Sequence, residues 1–292
     1  MIQVQHLTQI YSSKKGIFDV SFEVKKGEIF GYIGPNGAGK TTTIRHILGF
    51  SNADQGNVLI DGFDARSDRH TLHQQIGYLP GEIAFFDHMT GKEFLTFLSA
   101  LRGYKEAPRL QELVDLFQLE VKFSIRKMSK GMKQKLAIVA AMMHDPMILI
   151  LDEPTSGLDP LMQLRFLDLI LQEKERGKTI LMSSHIFEEV DRVCDRAAII
   201  KDGRIVAIED LVTLRSQVQD QLMFTLQEEV HEEQLRGLDV VRVSPDLYRV
   251  TVHQNLPEVL RHLSTLPIAS LRPVNNSIEE KFLHYYQGDA HE

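Results

Sequence analysis

Cysteine is almost missing from this chain, because Cys194 is the single cysteine among 292 residues. One cysteine excludes a disulfide within the chain and fits a reducing cytosol. No apolar run reaches the roughly 18–20 residues that cross a bilayer. The first residues, MIQVQHLTQI, lack the charged and apolar regions of a signal peptide. We therefore expect any role at a membrane to depend on a partner protein.

Positive charge is in the minority. The 33 Lys and Arg residues are outnumbered by 40 Asp and Glu residues, the formal net charge is −7, and no basic tract stands out. This balance argues against nucleic acid as the main partner. The length exceeds what one minimal core needs, so we expect a large domain followed by a smaller one.

Apolar patterns predict strands alternating with helices. Phe18–Val24 alternates with a period of two, as in a half-buried antiparallel strand, while Ile29–Ile33, Met147–Leu151 and Thr179–Ser183 are apolar enough for buried strands. The stretch Thr90–Leu119 has helical spacing. These elements indicate an α/β fold with a parallel sheet, to which antiparallel strands are added at its N-terminal part.

Turn and cap residues refine this pattern. Asp61-Gly62 and Asp202-Gly203 are hairpin turn signals, and Gly49 is a plausible helix stop. Asp159-Pro160 is typical of a helix start, with an N-cap residue before a proline at the first helical position.

The pattern changes after about Leu214. Short segments there predict a strand, a hairpin, a helix and a final helix opened by a capping box of Ser277 and Glu280. We predict a first domain at 1–213 and a small α+β accessory domain at 214–292, in which no catalytic cluster is visible.

The sequence GPNGAGKT at Gly34–Thr41 matches the phosphate-binding pattern G-x-x-x-x-G-K-[ST]. A buried strand leads into it and an amphipathic helix leads out, so backbone N–H groups and the helix dipole can hold a phosphate. Lys40 is expected to reach the β- and γ-phosphates, and the Thr41 hydroxyl to bind Mg²⁺. A chance glycine turn is the alternative, with odds on the order of one in a hundred. The predicted nucleotide contacts in this loop are Gly34, Pro35, Asn36, Gly37, Ala38, Gly39, Lys40, Thr41 and Thr42.

A second group of polar residues follows two later strands. Asp152 ends an apolar strand, where it can hold Mg²⁺ at the carboxyl edge of the sheet. Glu153 suits a base that orients an attacking water, although an Asp-Glu pair can also be a solvated turn. His185 ends the next strand and is placed to contact the γ-phosphate, or to serve the structure only. Tyr11, in a short loop before the alternating strand, either stacks on adenine or caps the core.

The stretch KMSKGMKQK, at Lys127–Lys135, gathers four lysines around a Ser-x-Gly loop where a helix must begin. Together with the segments described above, this stretch makes the chain resemble the ATPases of ATP-binding-cassette (ABC) transporters over roughly Met1–Glu209. The segments that carry the resemblance are Tyr11, GPNGAGKT, YLPGE, MSKGM, ILILDEP, SGLD and His185.

The resemblance implies a P-loop ABC cassette with a mixed-sheet core, an antiparallel β subdomain and a helical subdomain at about 84–145. It implies that two cassettes pack head to tail around ATP. Ser129 and the backbone at Gly131 would then contact the γ-phosphate held by the opposite copy, with Lys130 adding charge, and Asp159 would shape the water site across the interface. Lys135 is expected to be solvated.

The implied function is an ATP-hydrolysing subunit, with ATP and Mg²⁺ as cofactors, that powers a transporter. The stretch SKGMKQKL and the tail resemble an exporter branch that includes antibiotic, bacteriocin and drug pumps. We expect separate transmembrane permease subunits, a second ABC subunit with a homodimer favoured over a heterodimer, and a place at the cytoplasmic face of the membrane. Segment Gly81–Gly103, with Phe85 and Phe86, is the expected docking surface, unless both phenylalanines are core. A non-transport ABC ATPase of translation or DNA repair and a P-loop kinase are the alternatives.

Two departures from the family pattern matter. The signature reads Met-Ser-Lys-Gly-Met in place of Leu-Ser-Gly-Gly-Gln, which keeps its serine and second glycine. The glutamine usual after YLP is Gly81, followed by Glu82. Either Glu82 substitutes for it, or the metal depends on Thr41 and Asp152 alone.

Overall fold

The computed structural model describes residues 1–12, 15–105, 107–217, 220–228, 230, 235–252 and 255–274. Contacts divide the chain into two compact units, Met1–Leu211 and Val212–Glu292. The division at 213/214 that we drew from the sequence remains a prediction. In the described part of the chain, none of the helices combines the length and the apolar character that a bilayer crossing requires.

The elements follow one another in a β/α pattern. The strands are β1 (Ile2–Ser12), β2 (Lys15–Val24), β3 (Ile29–Ile33), β4 (Gln55–Ile60), β5 (Phe63–Asp64), β6 (Ile76–Leu79), β7 (Ile148–Asp152), β8 (Thr179–Ser184), β9 (Arg196–Lys201), β10 (Arg204–Asp210), β11 (Asp220–Leu226), β12 (Asp239–Arg242), β13 (Leu247–Val252) and β14 (Ile268–Val274). The helices are α1 (Lys40–Ile47), α2 (Arg69–Gln75), α3 (Gly91–Leu101), α4 (Leu110–Leu116), α5 (Lys130–Met142), α6 (Pro160–Glu175), α7 (Phe187–Val193), α8 (Leu211–Gln217) and α9 (Leu256–Leu263), with a 3₁₀ turn at Ile125–Lys127.

A six-stranded sheet forms the centre of the first unit. Its order is β10-β9-β3-β8-β7-β6, and all neighbours run parallel except β9 and β10. Every residue of β3, β7 and β8 is buried, as the apolar runs predicted for strands covered on both faces. The carboxyl ends of these three strands meet at one edge, which is where open α/β sheets bind ligands.

The antiparallel strands form a separate sheet with the order β2-β1-β4-β5. The predicted alternation holds from Val20 to Val24, whereas Phe18 is only partly buried because Asp19 lies in the left-handed region (φ 54°) and the register of β1 and β2 shifts nearby. One hydrophobic core joins this sheet, α1 and a face of the six-stranded sheet. The two predicted hairpin turns are confirmed between β4 and β5 and between β9 and β10.

A helical segment lies between β6 and β7. The helix predicted at Thr90–Leu119 is divided into α3 and α4, and Thr90 opens α3 with a capping box to Glu93. Buried charges tie the segment to the rest of the unit: Arg109 contacts Glu173 of α6 at 2.5 Å, and Lys178 pairs with both Glu173 and Asp145. Because a buried charge that loses its partner costs several kcal/mol, about 3–5 in measured cases, this cluster fixes the middle of the segment and its C-terminal end.

The second unit contains an antiparallel sheet of order β12-β13-β11-β14. Its core includes Phe224, Tyr248, Val250 and Leu263, and Asn255 caps α9 by accepting the N–H of Glu258. The strand, hairpin and helix predictions are confirmed, while β14 was not predicted. The predicted final helix beginning at Ser277 lies outside the described residues.

Candidate active site

The loop between β3 and α1 is shaped by glycine. Gly39 is the N-cap of α1 with φ 110°, and Gly37 has φ 84°. A Cβ on Gly34 would lie 2.4 Å from the Ile200 carbonyl oxygen, so only glycine fits there without a shift. The backbone can therefore wrap closely around a ligand, and α1 presents N–H groups that no side chain caps.

Lys40 is held inside this loop, with 5% of its side chain exposed. Its Nζ donates to the carbonyl oxygens of Gly34 (2.6 Å) and Pro35 (3.2 Å), and it lies 3.2 Å from Glu153 Oε1. A buried ammonium that is already oriented can exchange these carbonyl contacts for phosphate oxygens.

Asp152 brings two hydroxyl groups together at the end of β7. Thr41 Oγ1 donates to its Oδ2 (2.7 Å) and Ser183 Oγ donates to its Oδ1 (2.5 Å), and the aspartate is fully buried. A carboxylate beside a hydroxyl is a donor set that suits Mg²⁺. Among the described residues, no three His, Cys, Asp or Glu side chains converge, so a cation here would complete its shell with phosphate and water oxygens.

Glu153 follows in an uncommon backbone conformation. Its φ is 49°, in the left-handed region that glycine favours. Its carboxylate, 25% exposed, lies between Lys40 and the Nδ1 of His185, which is 3.1 Å from Oε2. The carboxylate therefore faces the site with both oxygens held, as a group that orients water requires.

A cavity of about 660 Å³ opens beside these residues, a size typical of ligand sites. Tyr11 is 60% exposed at its rim, and it lies at the end of β1 rather than in a loop as predicted. The described residues that line the cavity are Tyr11, Lys15, Gly16, Asn36, Gly37, Gly39, Lys40, Thr41, Thr42, Glu153, Asp202 and Gly203.

Four of these lining residues were missed by sequence reasoning. Asp202 and Gly203 were interpreted only as a turn, and Lys15 and Gly16 carry no motif. The fold packs the turn at Gly203 against β2. A Cβ on Gly203 would lie 2.2 Å from the Gly16 carbonyl oxygen, and Phe18 N donates to Gly203 O at 2.8 Å. The sequence signal that could have indicated Asp202 and Gly203 is the Asp-Gly turn itself.

The Ser-x-Gly loop does not line this cavity. Ser129 caps α5 by accepting the N–H of Met132 at 3.2 Å, and Lys130 Nζ donates to Ser156 Oγ at 3.3 Å. A Cβ on Gly131 would lie 2.9 Å from the carbonyl oxygen of Gly157, so the loop packs closely on the turn before α6. Asp159 caps α6, as predicted, by accepting the N–H of Met162 at 3.0 Å.

Gly81 lies directly beside the aspartate. A Cβ there would be 3.2 Å from Asp152 Oδ2, which leaves little room for a side chain. Glu82 is exposed. Burial, assisted by the charge of Asp152, raises the pKa of Tyr78 to about 12, so this neighbouring phenol stays neutral.

Comparisons with known proteins agree with this geometry. Residues 17–156 match the family model described as "ABC transporter". The chain is similar to the linearmycin resistance ATP-binding protein LnrL of Bacillus subtilis (strain 168), with 39% identity over 71% of this chain and 68% of that protein. It is also similar to the bacitracin transport ATP-binding protein BcrA of Bacillus licheniformis, with 33% identity over 90% of this chain and 86% of that protein.

A solved structure, the dimeric structure of MJ0796, a bacterial ABC transporter cassette, is similar in fold. Its TM-score is 0.65 at 25% identity, over 72% of this chain and 99% of that chain. The predicted cassette fold is thereby confirmed. Similarity of this extent, over most of each relative, establishes that the chain belongs to the ATP-binding subunits of ABC transporters.

Proposed function

We propose that this ABC ATPase powers export through a separate membrane protein, by closing two cassettes around shared ATP and opening them after hydrolysis. The observation that carries the proposal is the separation of the cradle residues from the Ser-x-Gly loop. Lys40, Thr41 and Glu153 line one cavity, whereas Ser129 and Gly131 lie outside its lining.

The cavity supports ATP hydrolysis by positioning and charge. Lys40 would hold the β- and γ-phosphates, and Thr41 and Asp152 would hold Mg²⁺, which would neutralise charge on the phosphates when bound. Glu153 would orient the attacking water, with His185 fixing its second oxygen and contacting the γ-phosphate. Tyr11, exposed at the rim, would stack on the adenine.

The signature loop supports a shared site. Ser129 is exposed at the start of α5, and it would contact a γ-phosphate bound by the opposite copy together with the Gly131 backbone. Asp159, at the start of α6, would shape the water site from across the interface. The dimeric form of the MJ0796 cassette supports this arrangement, and the presence of both halves of a site in one chain favours a homodimer. Loss of the bridging γ-phosphate would remove the contacts that hold the copies together.

An aromatic cluster supports docking on a permease at the membrane surface. Phe86 is 46% exposed and packs edge-on against Phe97 (ring centroids 5.8 Å apart), while Phe85 packs against Phe94 at 5.3 Å. A cavity of about 300 Å³ adjoins the cluster and is lined by Phe85, Phe94 and Leu98 together with residues of β6. An exposed aromatic patch of this kind is typical of a protein interface. The similarity to one protein named for linearmycin resistance and to another named for bacitracin transport supports export.

The dimer is tested with Glu153→Gln, which keeps the side-chain shape but removes the base. In this variant ATP should produce a dimer, measured by size-exclusion chromatography with light scattering, and Lys40→Ala should remain monomeric under the same conditions. A Glu153→Gln protein that binds ATP but stays monomeric would refute the shared site.

Docking is tested separately with Phe86→Asp. This change should abolish co-purification with the membrane fraction of the source cells, because an unpaired carboxylate cannot enter an apolar interface without cost. ATP-dependent dimerisation should be unchanged. Membrane association equal to that of the wild type would refute the docking surface.

A further inference from the structure

We propose that Ser183 is a positioning residue for hydrolysis, whose hydroxyl couples the metal-binding aspartate to the turn that carries Glu153. The inference rests on the proposed function, since it assigns Asp152 and Glu153 the roles given above. It concerns a residue of β8 that matches no motif in the sequence.

The parallel register of β7 and β8 places Ser183 directly opposite Asp152. Ser183 is fully buried, and its Oγ donates its one proton to Asp152 Oδ1 at 2.5 Å. The oxygen then has a lone pair free, and it accepts the N–H of Glu153 at 3.1 Å. A single hydroxyl therefore joins the side chain of one acidic residue to the backbone of the next.

The hydrogen bond to Asp152 fixes the plane of the carboxylate. Thr41 donates to the other oxygen of the carboxylate, Oδ2. A cation bound by Thr41 and Asp152 would therefore replace the Thr41 hydrogen bond and leave the Ser183 hydrogen bond to Oδ1 intact. Without Ser183 the Thr41 hydroxyl alone would hold the carboxylate, so its rotation about the Cβ–Cγ bond would be less restricted. Partners of metal ligands commonly act in this way.

The hydrogen bond from Glu153 stabilises an unfavourable backbone. A non-glycine residue in the left-handed region costs about 1 kcal/mol or more. The N–H of Glu153 is held by Ser183 twice, through Oγ and through the carbonyl oxygen at 3.2 Å. This turn directs the Glu153 side chain toward Lys40 and His185, so Ser183 acts on hydrolysis through the direction of Glu153.

The neighbouring Ser184 is a matched control for a purely structural role. It is 2% exposed, donates to Glu189 at 2.9 Å and accepts the N–H of Ile186 at 3.0 Å. The two serines thus have the same pattern of one donated and one accepted bond in the same strand. Their partners differ, because Ser184 bonds to α7 and to the turn before it.

The experiment compares Ser183→Ala with Ser184→Ala in the full chain. Binding of Mn²⁺ in the presence of ADP is followed by electron paramagnetic resonance, and kcat is measured with saturating ATP and Mg²⁺. Ser183→Ala should weaken Mn²⁺ binding and lower kcat by about 10- to 100-fold, as losses of such partners do. Ser184→Ala should lower the thermal unfolding temperature similarly but leave Mn²⁺ binding within about 2-fold of the wild type. Ser183→Thr keeps the hydroxyl and should recover most of the metal affinity.

Wild-type Mn²⁺ affinity and kcat in Ser183→Ala would overturn the proposal, and so would equal losses in both alanine variants. If Ser183→Ala does not fold, Ser183→Cys replaces the hydroxyl by a weak donor at similar shape, and unchanged Mn²⁺ binding there would overturn it as well. The proposed function fails by a different result, namely full turnover in Lys40→Ala or no ATP-dependent dimer in Glu153→Gln.

Discussion

The cradle (Gly34–Thr41) and the signature loop (Met128–Met132) both lead into the first turn of a helix, yet their helix starts are built differently. The cradle has Gly39 as the N-cap of α1 and no side-chain cap, whereas the signature loop closes the start of α5 with the Ser129 hydroxyl. An uncapped helix start offers several backbone N–H groups to a phosphate, while a capped one has already used part of its capacity. The cradle is therefore suited to grip a phosphate, and the signature loop to add one contact to a phosphate held elsewhere.

The partners of the two loops show the same difference. Lys40 and Thr41 of the cradle contact the acidic residues at the end of β7. Lys130 of the signature loop contacts Ser156, in the turn before α6. The chemistry of the cradle is thus assembled within one chain, and the signature loop is left facing outward.

Lys40→Ala should lower ATP turnover by at least about 100-fold, because it removes the charge aimed at the developing negative charge of the phosphates. Turnover is measured by phosphate release, and thermal unfolding should show an intact fold. Lys15→Ala changes another lysine at the cavity wall and should have a smaller effect. Turnover within a few-fold of the wild type in Lys40→Ala would refute the role of the cradle.

Ser129→Asp should lower turnover by about 10-fold or more, because a carboxylate facing the γ-phosphate of the opposite copy is repelled. Aspartate caps a helix as well as serine does, so α5 should remain intact. Ser129→Asn is the matched control with a neutral cap and should lose less. Equal turnover in the two variants would show that no anion approaches this loop.

A mixture of Lys40→Ala and Ser129→Asp chains refines the same test. Each mixed dimer contains one site with an intact cradle and an intact signature, so the mixture should hydrolyse ATP faster than either variant alone. An activity equal to the mean of the two separate variants would indicate that each chain works without its partner.

Lys130→Met should lower turnover by a few-fold, since methionine keeps much of the stem packed over Gly157 but lacks the charge that binds Ser156. Lys135→Met serves as the control and should leave turnover unchanged, because Lys135 lies further along α5 than the Ser-x-Gly loop; it is half-buried in the structure rather than solvated as expected. Equal losses in the two variants would show that the contact of Lys130 with Ser156 has no special part in turnover.

The smallest effect concerns His144, just beyond the far end of α5. Burial, assisted by the charge of Arg102, lowers its pKa to about 4, while an unfolded chain has a histidine pKa of about 6.5. Between these values only the unfolded state takes up a proton, so stability falls as the pH drops below 6.5, by up to about 1.4 kcal/mol per pH unit.

His144→Gln should reduce this pH dependence, because glutamine stays neutral and can still donate toward the Ile76 carbonyl oxygen that the His144 ring contacts. Urea unfolding at pH 7.5 and pH 5.5 measures the difference for both proteins. An identical loss of stability in the variant would show that His144 is not the responsible group.

Much of the site could be predicted because its residues stand next to one another in the chain. The spacing of Gly34, Gly39 and Lys40 determines a loop before a helix, and the apolar run before Asp152 determines where that carboxylate must lie. Caps such as Asp159 and turns such as Asp61-Gly62 are local in the same sense, since each depends on a few neighbouring residues.

The remaining parts had no local signal. The contact of Ser183 with Asp152 joins residues 31 positions apart, and it depends on the parallel register of β7 and β8. Asp202 and Gly203 enter the cavity wall because β9 pairs with β3, which places their hairpin near the cradle. Tyr11 was expected in a loop, but pairing with β2 extends β1 to its position. Such contacts depend on which strands become neighbours in a sheet. Neither the hydrophobic period nor the composition of the sequence encodes that choice.

The order of residues alone was thus enough to predict a phosphate-binding loop, an Asp-Glu pair and a Ser-x-Gly loop at a helix start, because each is a short segment with a characteristic backbone. Folding decided how these segments meet: strand register aligned Ser183 with Asp152, and Ser129 came to lie exposed and outside the lining of the cavity that contains Lys40. The physical reason is that hydrogen bonds between strands select partners by distance in space, whatever their separation along the chain.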